Sequence, residues 1–179
     1  MNKLFFPLVA ACLLLYQVSA VAAGREEIDA YADEALETFY EQTQAGERLA
    51  RNARGILVFP RVYKAGFGVG GEYGEGKLIV GGATAGYYNI VSASIGFQLG
   101  AQTKTQIILF MTDQALENFR ASKGWEAGVD GSVAIATLGA GGTLDSNTLQ
   151  QPIIGFIFSN KGLMYNLTLE GAKITRIER

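Results

Sequence analysis

Residues 55–83 read GILVFPRVYKAGFGVGGEYGEGKLIVGGA, and this stretch decides the fold class. Short apolar and β-branched runs are cut by glycine every few positions, which is the pattern of strands and not of a 3.6-residue helix. The spacing predicts strands over Ile56 to Phe59, Ala65 to Glu72 and Lys77 to Ala83, with a hairpin turn through Tyr73-Gly74-Glu75-Gly76. Gly66-Phe67-Gly68-Val69-Gly70-Gly71 satisfies G-x-G-x-x-G letter for letter. A phosphate loop of that form must run from a strand into a helix N-terminus, and here more β-like sequence follows, so nucleotide binding is rejected. Glycines at 66, 68 and 70 instead leave one face of a strand bare for close approach.

The same pattern continues downstream. Strands are expected at Asn89 to Val91, Ser94 to Ala101, Ile107 to Thr112, Gly128 to Thr137, Ile153 to Ser159, Leu163 to Leu169 and Lys173 to Ile177. Ile107 to Met111 is apolar at every position and belongs in the centre of a sheet, whereas Leu163, Tyr165, Leu167 and Leu169 alternate as a strand with one buried face. A second hairpin is signalled by Asn160-Lys161-Gly162, and Gly139 to Asn147 reads as a loop. A short helix capped by Thr112 or Asp113 carries Ala115, Leu116 and Phe119 and stops by Gly124.

Upstream, Ile28, Tyr31, Ala32, Ala35, Leu36 and Phe39 recur at the spacing of one helical face. They predict an amphipathic helix from about Arg25 to Gln44, with Leu36 and Phe39 as its anchors and with seven acids on its other positions. The expected fold is therefore α+β: a strongly curved antiparallel sheet of about eight to ten short strands, open or barrel-like, carrying an N-terminal amphipathic helix and one short internal helix.

Leu4 to Tyr16 is almost unbroken apolar sequence behind Lys3, and it ends in the small-residue stretch Val18 to Ala23. This has the form of a secretory signal peptide over residues 1–23, which leaves one domain over residues 24–179 and an exported, periplasmic or outer-membrane-associated protein. Val9-Ala10-Ala11-Cys12 offers a lipobox as the alternative, but it would place Leu13-Leu14-Leu15-Tyr16 at the mature N-terminus where a polar linker is expected.

Composition narrows the chemistry. The net charge of -2 supplies no field for nucleic acid, and 23 glycines in 179 residues fit a chain of turns and close backbone approaches. The absence of histidine removes Ser-His-Asp and Cys-His pairs and His-ligated metals. Asp113, Asp130 and Asp145 lie near element ends with no spacing that pairs them for acid-base work. Asn166-Leu167-Thr168 matches a glycosylation sequon by chance, inside an expected strand. No catalytic residue, metal ligand or cofactor is expected.

One charge feature stands out. Arg48, Arg51, Arg54, Arg61 and Lys64 follow one another with no acid between Arg48 and Lys64, in an otherwise acidic chain. They are either solvated charges that close a helix and flank a strand, or a cationic face for anionic lipid.

Four segments in order carry a family resemblance: Ala53-Arg54-Gly55-Ile56-Leu57-Val58-Phe59-Pro60, Lys64-Ala65-Gly66-Phe67-Gly68-Val69-Gly70-Gly71, Gly96-Phe97-Gln98-Leu99-Gly100-Ala101-Gln102, and Lys161-Gly162-Leu163 through Leu167-Thr168-Leu169-Glu170-Gly171. Together they resemble the SYLF domain, also called the yeast Ysc-type actin-binding domain, which has secreted bacterial members. The resemblance implies a non-catalytic lipid-binding module. Eukaryotic members bind phosphoinositide membranes through basic residues and an amphipathic N-terminal helix, and some bind actin filaments. Here the helix is acidic, so that helix mechanism does not carry across and the cations must come from Arg48 to Lys64. The expected partner is a lipid or membrane surface, with an envelope protein as the alternative, and neither nucleic acid nor nucleotide.

Overall fold

The computed structural model describes residues 24–96, 102–136, 144–159, 162–163, 169 and 171–179. The leader at residues 1–23, most of the loop at 139–147, the turn at Asn160-Lys161 and the alternating positions Tyr165 and Leu167 lie outside the described residues.

The described elements form a curled half-barrel sheet with helices on both faces, an α+β architecture as expected. In chain order they are helices α1 (Arg25–Gln42) and α2 (Gln44–Asn52), strands β1 (Gly55–Val80), β2 (Ala83–Gly96) and β3 (Gln102–Phe110), and helix α3 (Asp113–Ala121). There follow β4 (Trp125–Glu126), β5 (Ala134–Ile135), α4 (Ser146–Leu149), β6 (Ile153–Ser159), β7 (Gly162–Leu163) and β8 (Lys173–Ile177). The sheet order is β4-β8-β2-β1-β3-β6-β5, with β7 paired to β6. All pairs are antiparallel except β5 with β6, so the sheet is mixed where a purely antiparallel one was expected.

Strand β1 departs most from expectation. Its N-terminal part pairs with β3 and residues 68–80 pair with β2, so three expected segments are one strand. Tyr73-Gly74-Glu75-Gly76 is not a turn. The hairpin is the two-residue Gly81-Gly82, with φ of 60° and 82°. Two consecutive positive φ values suit the right-handed twist of the flanking strands and favour glycine at both positions. Gly74 and Gly76 serve a different purpose: a Cβ at Gly74 would stand 2.8 Å from the Arg61 carbonyl oxygen, and one at Gly76 would run into that of Val58. The strand therefore folds back on itself, and glycine is what lets its two halves touch.

That fold separates two cores. On the concave face Leu57, Phe59, Val62, Leu78, Ile108 and Phe110 enclose Leu116 and Phe119 of α3. On the convex face Ala32, Leu36 and Phe39 of α1 pack on Val58, Ile107, Leu109, Phe156 and Phe158. Strand β3 lies between β1 and β6 and is buried on both faces from Gln106 to Phe110, as its apolar run requires. Leu36 and Phe39 anchor the helix as expected. The Phe39 ring meets Phe156 edge-on at 4.8 Å and stacks on Phe158 at 6.1 Å.

The remaining differences are local. The expected N-terminal helix breaks at Thr43 and resumes as α2, with Gly46 inside it against the Phe39 ring. Only Ala134–Ile135 of the expected strand at 128–137 is extended among the described residues. Gly128 has φ 90°, and Asp130 accepts a hydrogen bond from the Glu126 N–H in a tight turn. A second short internal helix, α4, starts inside the expected loop. Asp145 caps it, accepting from the Asn147 and Thr148 backbone N–H groups and the Thr148 hydroxyl, which hold its carboxyl below the usual range.

Candidate functional site

A cleft of about 630 Å³ lies between α1 and the sheet. Tyr31, Glu34 and Thr38 of α1 form one wall, and Pro60, Arg61, Thr103, Lys104, Thr105 and Phe158 contribute the other. The Arg61 guanidinium lies over the Tyr31 ring at 3.4 Å from its centroid. The cation–π contact holds the cation in place, and against the effect of desolvation hydrogen bonds to the Tyr31 and Tyr63 hydroxyls add to it and raise the Arg61 pKa. The Thr105 hydroxyl donates to the Pro60 carbonyl across the irregular pairing between Phe59 and Val62, which is where Arg61 is brought to the convex side.

The five basic residues singled out from the sequence occupy different settings. Arg48 is exposed on α2 and Arg51 lies in the last turn of that helix, paired with Glu47 at 2.6 Å. Arg54 precedes β1 and stands 3.6 Å from Asp113 at the start of α3. These are exposed ion pairs of the kind that contributes about 0–1 kcal/mol and exchanges readily. Arg61 joins the cleft, whereas Lys64 turns to the concave side and meets Glu72 at 3.5 Å.

Glu72 is the acceptor for two lysines. Its other oxygen is 2.8 Å from Lys104, whose side chain is 8% exposed, and the Glu72 side chain is 11% exposed. Lys64 and Glu72 bracket the glycine-rich run 65–71, so their pairing closes the bend of β1. Next to Lys104 on the concave face of β3, Gln106 is fully buried opposite Phe59 and Ile157, and neither its amide oxygen nor its amide nitrogen has a hydrogen-bond partner.

A separate polar network holds α1 to the convex face. Lys77, with 6% of its side chain exposed, lies 2.8 Å from Asp33 and 3.2 Å from Asp29, and Tyr87 donates to Asp29 at 3.0 Å. Burial alone would lower the Lys77 pKa, but the hydrogen bonds and charges of Asp33 and Asp29 outweigh it and leave it raised. The acidic face of α1 thus has a structural use.

With this geometry in place, the sequence can be set beside known families. Residues 91–178 match the Ysc84 family model, described as Las17-binding protein actin regulator. The Ysc84 match runs from within β2 to just beyond β8. It contains Thr103, Lys104, Gln106 and Phe158 but neither α1 nor β1, so the motifs at 53–60 and 64–71 lie outside the matched residues and those at 96–102 and 161–171 lie inside. No curated protein matches the chain. No helix among the described residues is long and apolar enough to cross a membrane.

Sequence reasoning found Arg61 and Lys64 but not Tyr31, Glu72, Lys104 or Gln106 as their companions. The available signal was in β3: Lys104 and Gln106 are polar residues two apart, on the same face as Ile108 and Phe110.

Proposed function

We propose that the chain is a non-catalytic binding module of the Ysc84 type, exported behind its apolar leader to a bacterial envelope, where it attaches to anionic phospholipid. Arg61 carries this reading: an exposed guanidinium over an aromatic ring, in a cleft that holds Glu34 beside its hydroxyl side chains, with no acid in ion-pair contact with Arg61 among the described residues. Arg48, Arg51 and Arg54 add exposed charge, and their weak protein pairs can be exchanged for lipid phosphate.

Co-sedimentation with phosphatidylglycerol vesicles, against phosphatidylcholine alone, tests it. Each basic side chain at an anionic surface contributes about 1 kcal/mol, so Arg61→Gln weakens binding about fivefold and Arg51→Gln with Arg54→Gln about thirtyfold. Binding also falls with salt. Equal binding to neutral vesicles, or indifference to salt, rejects the anionic-phospholipid reading. The family description supports a protein partner as the second reading, and co-sedimentation with actin filaments but not with vesicles would favour it.

A further inference from the structure

We infer that the concave face of the sheet holds a buried binding site for one oxyanion, formed by Lys104, Lys64 and the amide of Gln106 beside Glu72. Donors and acceptors there do not balance. Two ammonium groups bring six N–H donors and two positive charges, against one carboxylate. Among the described residues each lysine meets only that carboxylate, at 2.8 Å for Lys104 and 3.5 Å for Lys64, and with 8% of the Lys104 and 18% of the Lys64 side chain exposed the second positive charge sits at the edge of a largely buried cluster. Gln106 supplies the second, independent sign. It is wholly buried, lies one pleat along β3 from Lys104 on the same face, and makes no hydrogen bond with either end of its amide.

A protein rarely buries an amide unsatisfied, because losing water without a replacement partner costs about 1–3 kcal/mol. A phosphate or carboxylate corrects both faults at once: it neutralises the second lysine and accepts from the Gln106 N–H2. The apolar side chains flanking Gln106, Phe59 and Ile157, suit a ligand whose charge is confined to one end. The anion is either free phosphate or the phosphate of a lipid headgroup. Arg61 is not among its ligands, so the site stands or falls separately from the surface reading.

The test is thermal unfolding of the protein in inorganic phosphate against chloride at matched ionic strength, repeated with phosphatidylglycerol and phosphatidylcholine vesicles. Gln106→Leu removes the unsatisfied amide and raises the melting temperature without ligand whether or not the site exists. Only if the site exists do Gln106→Leu and Lys104→Met also weaken the stabilisation by anion, by about tenfold in apparent affinity. Stabilisation by phosphate that both variants lose assigns a free anion. Stabilisation by phosphatidylglycerol alone, lost in both variants but retained in Arg61→Gln, assigns a lipid phosphate. No stabilisation beyond chloride and neutral vesicles, or stabilisation that survives both substitutions, overturns the inference.

Discussion

The Lys77 ammonium and the Asp33 carboxylate stand 2.8 Å apart across the junction between β1 and α1, 44 residues apart in the chain. Asp29, one helical turn earlier, approaches the same ammonium, so an i, i+4 pair of acids grips one lysine. This contact orients the helix that forms one wall of the cleft.

Lys77→Ala should destabilise the protein by about 1–2 kcal/mol, less than for a fully buried pair, because Asp33 is largely exposed and rehydrates. Lys77→Met, which keeps the buried stem, should cost less. Urea unfolding of both variants checks the ordering, and equal losses would mean that packing and not charge holds α1.

Alkaline pH should weaken the fold. Tyr73 is pushed up to about 12 by desolvation and by its hydrogen bond to Glu75. Between pH 10 and 12 the folded state retains a phenol proton that the unfolded chain has released, so stability falls as pH rises through that window. Lys77 acts in the same direction, since its raised folded pKa gives stability that is full below the unfolded value of about 10.4 and is lost above the folded one. Tyr73→Phe should flatten the decline in urea midpoint, and the late part of the phenolate absorbance, to which the raised Tyr40, Tyr87 and Tyr88 also contribute, should shrink in the variant.

Gly76→Ala should cost at least about 3 kcal/mol or prevent folding, because the new methyl meets the Val58 carbonyl, which backbone movement alone can clear. Gly81→Ala has open space around it and only the strain of φ 60°, about 1 kcal/mol. Circular dichroism melts compare them. Similar losses would show that the two halves of β1 separate easily.

Phe39→Ala should cost about 3–5 kcal/mol, the range for emptying a buried aromatic site. Chemical denaturation measures it. A loss below about 1 kcal/mol would show that α1 is not part of the core, contrary to its packing on Phe156 and Phe158.

The sequence by itself determined the elements whose cause is local. The apolar face of residues 28–39 gave α1 and its anchors, Thr112 or Asp113 gave the start of α3, with the structure choosing Thr112 as its cap, and the unbroken apolar run at 107–111 gave a central strand. Each rests on a periodicity or cap contained within a few residues. Tertiary structure alone decided what depends on distant backbone. Gly74 and Gly76 resemble turn residues until Arg61 and Val58 are brought against them, and the true turn at Gly81-Gly82 then follows. The same fold divided five consecutive cations, leaving Arg61 on the convex side and turning Lys64 inward to Glu72 and Lys104. Charge order along the chain carries no information about face once an irregular pairing intervenes, as it does between Phe59 and Val62, because one extra residue exchanges the two sides of a strand.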